Sequence, residues 1–222
     1  MGKQEFTYSA KRCFENAERI LDDAIWLSDA NKISSAYALS IIAQEEYAKS
    51  FLFTLLENDV IKWNSFINRS IKDHTCKQLI GIIIDHLNPA CEDFGEFISG
   101  SKRDDSIRRA FDAIDILRHE KIGRWKSNNW IWDEEPVYDV DVKKVFNGSI
   151  DKKKQDALFI RVDKNGKVVF EPTEITVQDS EEMIDRARRF SVVVKCILQS
   201  DKGSLLDYDK IKEVITLLFE NV

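Results

Sequence analysis

Ser34–Leu56, SSAYALSIIAQEEYAKSFLFTLL, is the longest apolar-rich stretch of the chain. Its first half is apolar almost all round, and Ala36, Leu39, Ala43, Tyr47, Phe51 and Leu55 recur at helical spacing. A helix of that kind sits inside a bundle, with other helices packed round it. Ser34 or Ser35 supplies a capping hydroxyl at its start. Glu45, Glu46 and Lys49 interrupt it midway. Glu45 and Lys49 stand in the orientation that favours an i,i+4 ion pair, worth about 0.2–0.5 kcal/mol; otherwise the three charges belong to a site.

The flanks read as further helices. Phe6, Ala10, Cys13, Phe14, Ala17, Ile20, Leu21, Ala24 and Leu27 predict an amphipathic helix from Phe6 to Ala30, with a polar break at 29–31 before the central helix. Asn58 or Asp59 can cap a third segment with Val60, Trp63, Phe66 and Ile67 on one face. Apolar stripes at 76–87 and 107–117 predict two more helices, the first ending at Asn88-Pro89. Residues 133–156 show no helical period and carry Lys143-Lys144 and Lys152-Lys153-Lys154, which reads as an irregular excursion with solvated charge. Ala157–Val162 and Val168–Phe170 flank Asn165-Gly166, a hairpin signal. Thr176 or Asp179 can cap a long helix with Met183, Ala187, Phe190, Val194, Ile197 and Leu198 inward, and a last helix follows Gly203.

With only three prolines and eight glycines in 222 residues, a mostly α fold is expected. The layout is a helical core over 1–132, an excursion with a hairpin near 157–170 over 133–175, and C-terminal helices over 176–222 packed on the core. A net charge of −6 argues against nonspecific coating of nucleic acid or membrane. No apolar run nears the roughly 18 residues that span a bilayer. Four scattered cysteines form no C-x-x-C and no zinc-finger spacing, so the expectation is reduced thiols, no metal, and a soluble cytoplasmic protein.

Locally the sign reverses: Lys102–Lys126 holds eight Lys or Arg against five Asp or Glu. Arg124, Trp125 and Lys126 then open a run with two further tryptophans, Trp130 and Trp132. That composition suits a base-stacking RNA contact and equally a buried anchor.

Common catalytic signatures, including phosphate-cradling glycine loops, G-x-S-x-G and H-E-x-x-H, are absent. Arg69 and His74 stand at R-x4-H spacing, which twelve arginines and three histidines can produce by chance. Their surroundings carry more. The central pattern A-x-A-L-S-I-I-A-x-E-E-x-x-K, with Ala36, Ala38, Leu39, Ala43, Glu45, Glu46 and Lys49, is followed by W-x5-R-x4-H-x-x-K at Trp63, Arg69, His74 and Lys77. Together they resemble the AbiV family of abortive-infection proteins in the HEPN superfamily. The hairpin leading through Pro172 into a long helix also looks like that family's second half, so the likeness spans about residues 10 to 200.

The resemblance implies a HEPN-like helical bundle with a small hairpin. It implies an antiphage effector that causes translation arrest by cleaving RNA without metal or cofactor, as a homodimer that brings two R-x4-H segments into one cleft. A phage-encoded protein would be the trigger. Arg69 and His74 would be catalytic, since arginine holds phosphate charge and histidine moves protons near neutrality. Glu45 or Glu46 would orient them, and Lys49 or Lys77 would contact phosphate. His86 and His119 read as structural. The alternative is a noncatalytic HEPN module binding RNA, a nucleotide or a protein partner.

Overall fold

A helix buried on every side needs small residues where its neighbours approach and an internal partner for each polar atom. The computed structural model, which describes residues 2–87, 105–117, 119 and 137–199, meets both needs in α2, Ile33–Glu57. Ala36, Ala38, Ala43 and Ala48 are wholly buried, and Tyr47, Phe51, Leu52 and Leu55 fill the space between them. Ser50 Oγ donates to the Ala10 carbonyl at 2.8 Å, Gln44 Nε2 donates to the Met183 carbonyl at 2.9 Å, and Tyr47 donates its hydroxyl to Glu18.

α1, Lys3–Asp29, lies antiparallel along α2 and buries Phe6, Ala10, Ala17, Ile20, Leu21 and Ala24. The link is a helix stop with Asn31 left-handed at φ 58°, a conformation asparagine tolerates. Lys32 N–H returns to the Leu27 carbonyl at 2.7 Å and Asn31 N–H to the Ser28 carbonyl at 2.9 Å. The far end of α2 repeats the device with Asp59 at φ 56°, so Asn58 and Asp59 close α2 and do not cap the third segment. Asn64 caps that segment, α3 (Ser65–Ser70), by accepting from Ile67 N–H at 3.0 Å. Ser34 is not a cap either: its hydroxyl ties to the Pro172 carbonyl.

α4, His74–His86, starts where Asp73 accepts from Cys76 N–H at 3.0 Å, and α5, Asp105–Asp115, packs beside it. The expected irregular excursion is corrected to two short helices, α6 (Val140–Phe146) and α7 (Ser149–Asp156). Asp139 caps α6 through Asp141 N–H at 2.9 Å and Val142 N–H at 3.3 Å, and Gly148 at φ 77° turns the chain into α7. Two turns each is too short to show a period.

The antiparallel hairpin of β1 (Arg161–Val162) and β2 (Val168–Phe170) forms around Gly166 at φ 79°, shorter than expected. Ala157–Ile160 lies before β1, with Leu158 and Phe159 N–H bonded back to the Gln155 carbonyl as α7 ends. Thr176 and Asp179 cap α8, Val177–Gln199, reciprocally: Asp179 N–H donates to Thr176 Oγ1 and Thr176 N–H to Asp179 Oδ2, both at 3.1 Å. α8 buries Ile184, Ala187, Phe190, Val193, Val194 and Ile197 against α1 and α2. The last apolar stretch, after Gly203, lies outside the described residues.

Gly81 lets α4 pack directly on the Phe190 ring of α8. A Cβ there would sit 3.0 Å from Cε2 and Cζ of Phe190, a ring only 1% exposed. Because the ring is enclosed and the contact tight, Gly81→Ala is expected to lower stability by about 1–3 kcal/mol, the usual cost of overpacking. Urea denaturation measures it, and an unchanged midpoint would refute the tight approach.

Candidate functional site

The site is built on one carboxylate. Glu45 projects from the middle of α2 toward α4 and α7, with its side chain only 4% exposed. Buried charge is costly unless paired and fully hydrogen-bonded. Here Oε2 meets His74 Nδ1 at 2.6 Å and Lys77 Nζ at 2.9 Å, while Oε1 meets Lys154 Nζ at 2.8 Å and Gln78 Nε2 at 3.2 Å. Burial alone would push the Glu45 carboxyl up. The hydrogen bonds and charges of Lys154 and Lys77 outweigh it and hold the group below the usual carboxylate range.

That ionisation fixes the histidine. An ionised carboxylate only accepts, so the proton in the 2.6 Å contact belongs to Nδ1 of His74. The neutral imidazole therefore carries its lone pair on Nε2. The His74 side chain is 55% exposed; Nδ1 donates to Glu45, and the Lys154 ammonium 3.2 Å from that nitrogen, having only donors, adds no hydrogen bond to it. The arrangement is an exposed imidazole with its tautomer and ring orientation set from beneath.

Arg69 and His74 flank one tight turn. Arg69 lies in the last turn of α3, its carbonyl accepts from Lys72 N–H and Asp73 N–H, each at 2.9 Å, and Asp73 in turn caps α4, which begins with His74. Trp63 anchors the approach to α3 by stacking on Phe6 at 5.8 Å and on Phe53 at 6.4 Å. The tryptophan of the sequence pattern thus holds the segment that carries the arginine.

Of the residues proposed to assist, the structure gathers Glu45 and Lys77 with His74 and separates Glu46 and Lys49. Lys49 pairs with Glu46, three residues away, and not with Glu45 as the i,i+4 spacing suggested. The pair lies beside Cys13 of α1, where burial pushes the thiol up, Lys49 pulls it down and Glu46 adds to the rise. Successive helical residues point about 100° apart, so Glu45 and Glu46 serve different neighbours. Lys77 is 7% exposed with its ammonium on Glu45, a place to hold that carboxylate and not to reach a phosphate chain. His86 is buried and His119 is half-buried. Arg124, Trp125 and Lys126 lie outside the described residues.

Lys154 is the residue the sequence reading missed. Read there as one of three solvated lysines, it is 9% exposed and bonded to Glu45 and, at 2.7 Å, to Asp151. The available hint was Asp151 three residues before Lys154, an ion pair if the segment is helical. Glu45, His74 and Asp151 also place ligand atoms within 4.8 Å of one another, the donor set of a cation. They do not fit a metal as they stand, because the Lys154 ammonium bonds both carboxylates and lies 3.2 Å from the imidazole.

Fold and site define a mostly helical protein with an exposed histidine mounted on a buried carboxylate. Comparison with known families matches residues 7–191 to the HEPN-type family AbiV. The chain belongs to the AbiV family of HEPN-type abortive-infection proteins. No curated protein and no solved structure matches it. Among the described residues, no helix is long and apolar enough to cross a membrane.

Proposed function

We propose that this protein is an antiphage effector that cleaves RNA without a metal ion, with His74 as the proton-transfer group and Arg69 as the phosphate-binding cation. The observation that carries the reading is the 2.6 Å contact of exposed His74 with buried, ionised Glu45. Nε2 takes the proton of a ribose 2′-hydroxyl as that oxygen attacks the adjacent phosphorus. Arg69 holds the charge developing on the phosphate. The 5′-oxygen leaves with a proton from a second copy of His74, giving a cyclic phosphate and a free 5′-hydroxyl. A homodimer supplies that second histidine on a two-fold axis. RNA is the substrate because the attack needs the 2′-hydroxyl. Cutting cytoplasmic RNA would arrest translation, and a phage-encoded protein would release the activity.

The test incubates the full chain with single-stranded and transfer RNA in EDTA, beside Arg69→Ala and His74→Ala. The expected result is cleavage by the parent, loss in both variants, and resistance of a substrate lacking the 2′-hydroxyl. Equal cleavage by the variants would remove both residues from the mechanism. RNA binding with no cleavage would establish a noncatalytic module instead. Light scattering is expected to give twice the chain mass; a strict monomer would rule out the two-histidine site.

A further inference from the structure

A second cleft lies between the C-terminal half of α4, α5, α6, the start of α7 and α8, and shares Ile150 and Arg186 with the small cavity that Glu45 lines. Its volume is about 420 Å³, within the range of small-molecule sites. Ile82, Val142, Val145, Ile150 and Met183 give it an apolar lining. The polar wall is cationic in excess: Arg109, Lys144, Arg186 and Arg189 against Asp85, Asp141 and Glu182.

Arg186 is the informative member. Its side chain is only 14% exposed, and its guanidinium lies 5.2 Å from the centre of the Phe190 ring. Its bond is from Nε to Asp85 Oδ2 at 2.6 Å, and its two Nη groups donate to nothing among the described residues. Arg189, one turn on, shares the same carboxylate with Nε 3.6 Å from Oδ1, an oxygen that accepts no hydrogen bond. One carboxylate thus faces two guanidiniums, and the forks of both have donors to spare. A guanidinium as enclosed as that of Arg186 normally finds acceptors, and with the half-exposed Arg189 beside it at an open cavity the pair matches the oxygens of a phosphate.

We infer that this cleft binds a small organic phosphate, its phosphate on Arg186 and Arg189 with Lys144 at the rim and its flat apolar body against Ile82, Val145 and Met183. The site is separate from His74 and does not depend on the ribonuclease reading. It abuts it through α7, where Ile150 lines the cleft one residue before Asp151, the partner of Lys154.

Titration calorimetry of the full chain with phenyl phosphate, inorganic phosphate and phenol tests this. Phenyl phosphate is expected to bind saturably and more tightly than either half alone. Arg189→Ala and Lys144→Ala, at side chains 46% and 62% exposed, should keep the parent's melting temperature. Arg189→Ala should weaken binding about tenfold, the worth of one charge-assisted hydrogen bond. No saturable binding of phenyl phosphate, or binding that neither variant weakens, would overturn the site. Inorganic phosphate binding as tightly as phenyl phosphate would overturn the organic ligand.

Discussion

Glu45→Ala is expected to cost about 3–5 kcal/mol of stability, the penalty for breaking a buried ion pair by removing one partner. The loss falls mainly on Lys77. Lys154 keeps Asp151 at 2.7 Å, but among the described residues the ammonium of Lys77 is paired with Glu45 alone. Urea unfolding reads the loss directly, and a change under about 1 kcal/mol would mean that the lysines escape to water. Adding Lys77→Met should recover much of the deficit, because an apolar side chain of similar length replaces a stranded charge. The pH dependence has a definite sign. Glu45 titrates below its ordinary value of 4.5 in the folded state, so its stabilisation is complete above that pH and is lost as pH falls through the folded value. Glu45→Gln has no such term. The stability gap between parent and Glu45→Gln should be constant near neutrality and narrow below pH 4.5.

What the sequence disclosed follows from the range of each interaction. α2 was legible because a helix apolar all round can sit only inside, and burial of Tyr47, Phe51 and Leu55 meets that expectation. The helix ends were half legible: Asn58 and Asp59 are turn residues, but nothing local says that they close the helix behind them instead of opening the one ahead. α6 and α7 were hidden because two-turn helices are stabilised by caps and by packing on neighbours, with only Val142 and Val145 buried in α6. Arg69 and His74 came from resemblance, and Glu45 was one of two adjacent candidates. Choosing between Glu45 and Glu46 required knowing which face of α2 meets α4. Lys154 was beyond reach for the same reason: its burial depends on a carboxylate 109 residues away.

His74→Ala is expected to reduce RNA cleavage by about 10²–10⁴-fold, the usual contribution of a positioned acid–base group. It should leave stability nearly unchanged, because the ring is 55% exposed and Glu45 keeps its bonds to Lys77, Gln78 and Lys154. That separates it from Glu45→Ala, which should lower stability and cleavage together. Single-turnover cleavage assays read the chemistry, and thermal melting reads the fold. A His74→Ala protein that cuts within a few-fold of the parent would place the proton transfer elsewhere. One that melts far below the parent would make the histidine a structural partner of Glu45. Loss of cleavage with an unshifted melt is the result that assigns chemistry to Nε2, since the proton on Nδ1 is engaged by a carboxylate that the fold keeps ionised.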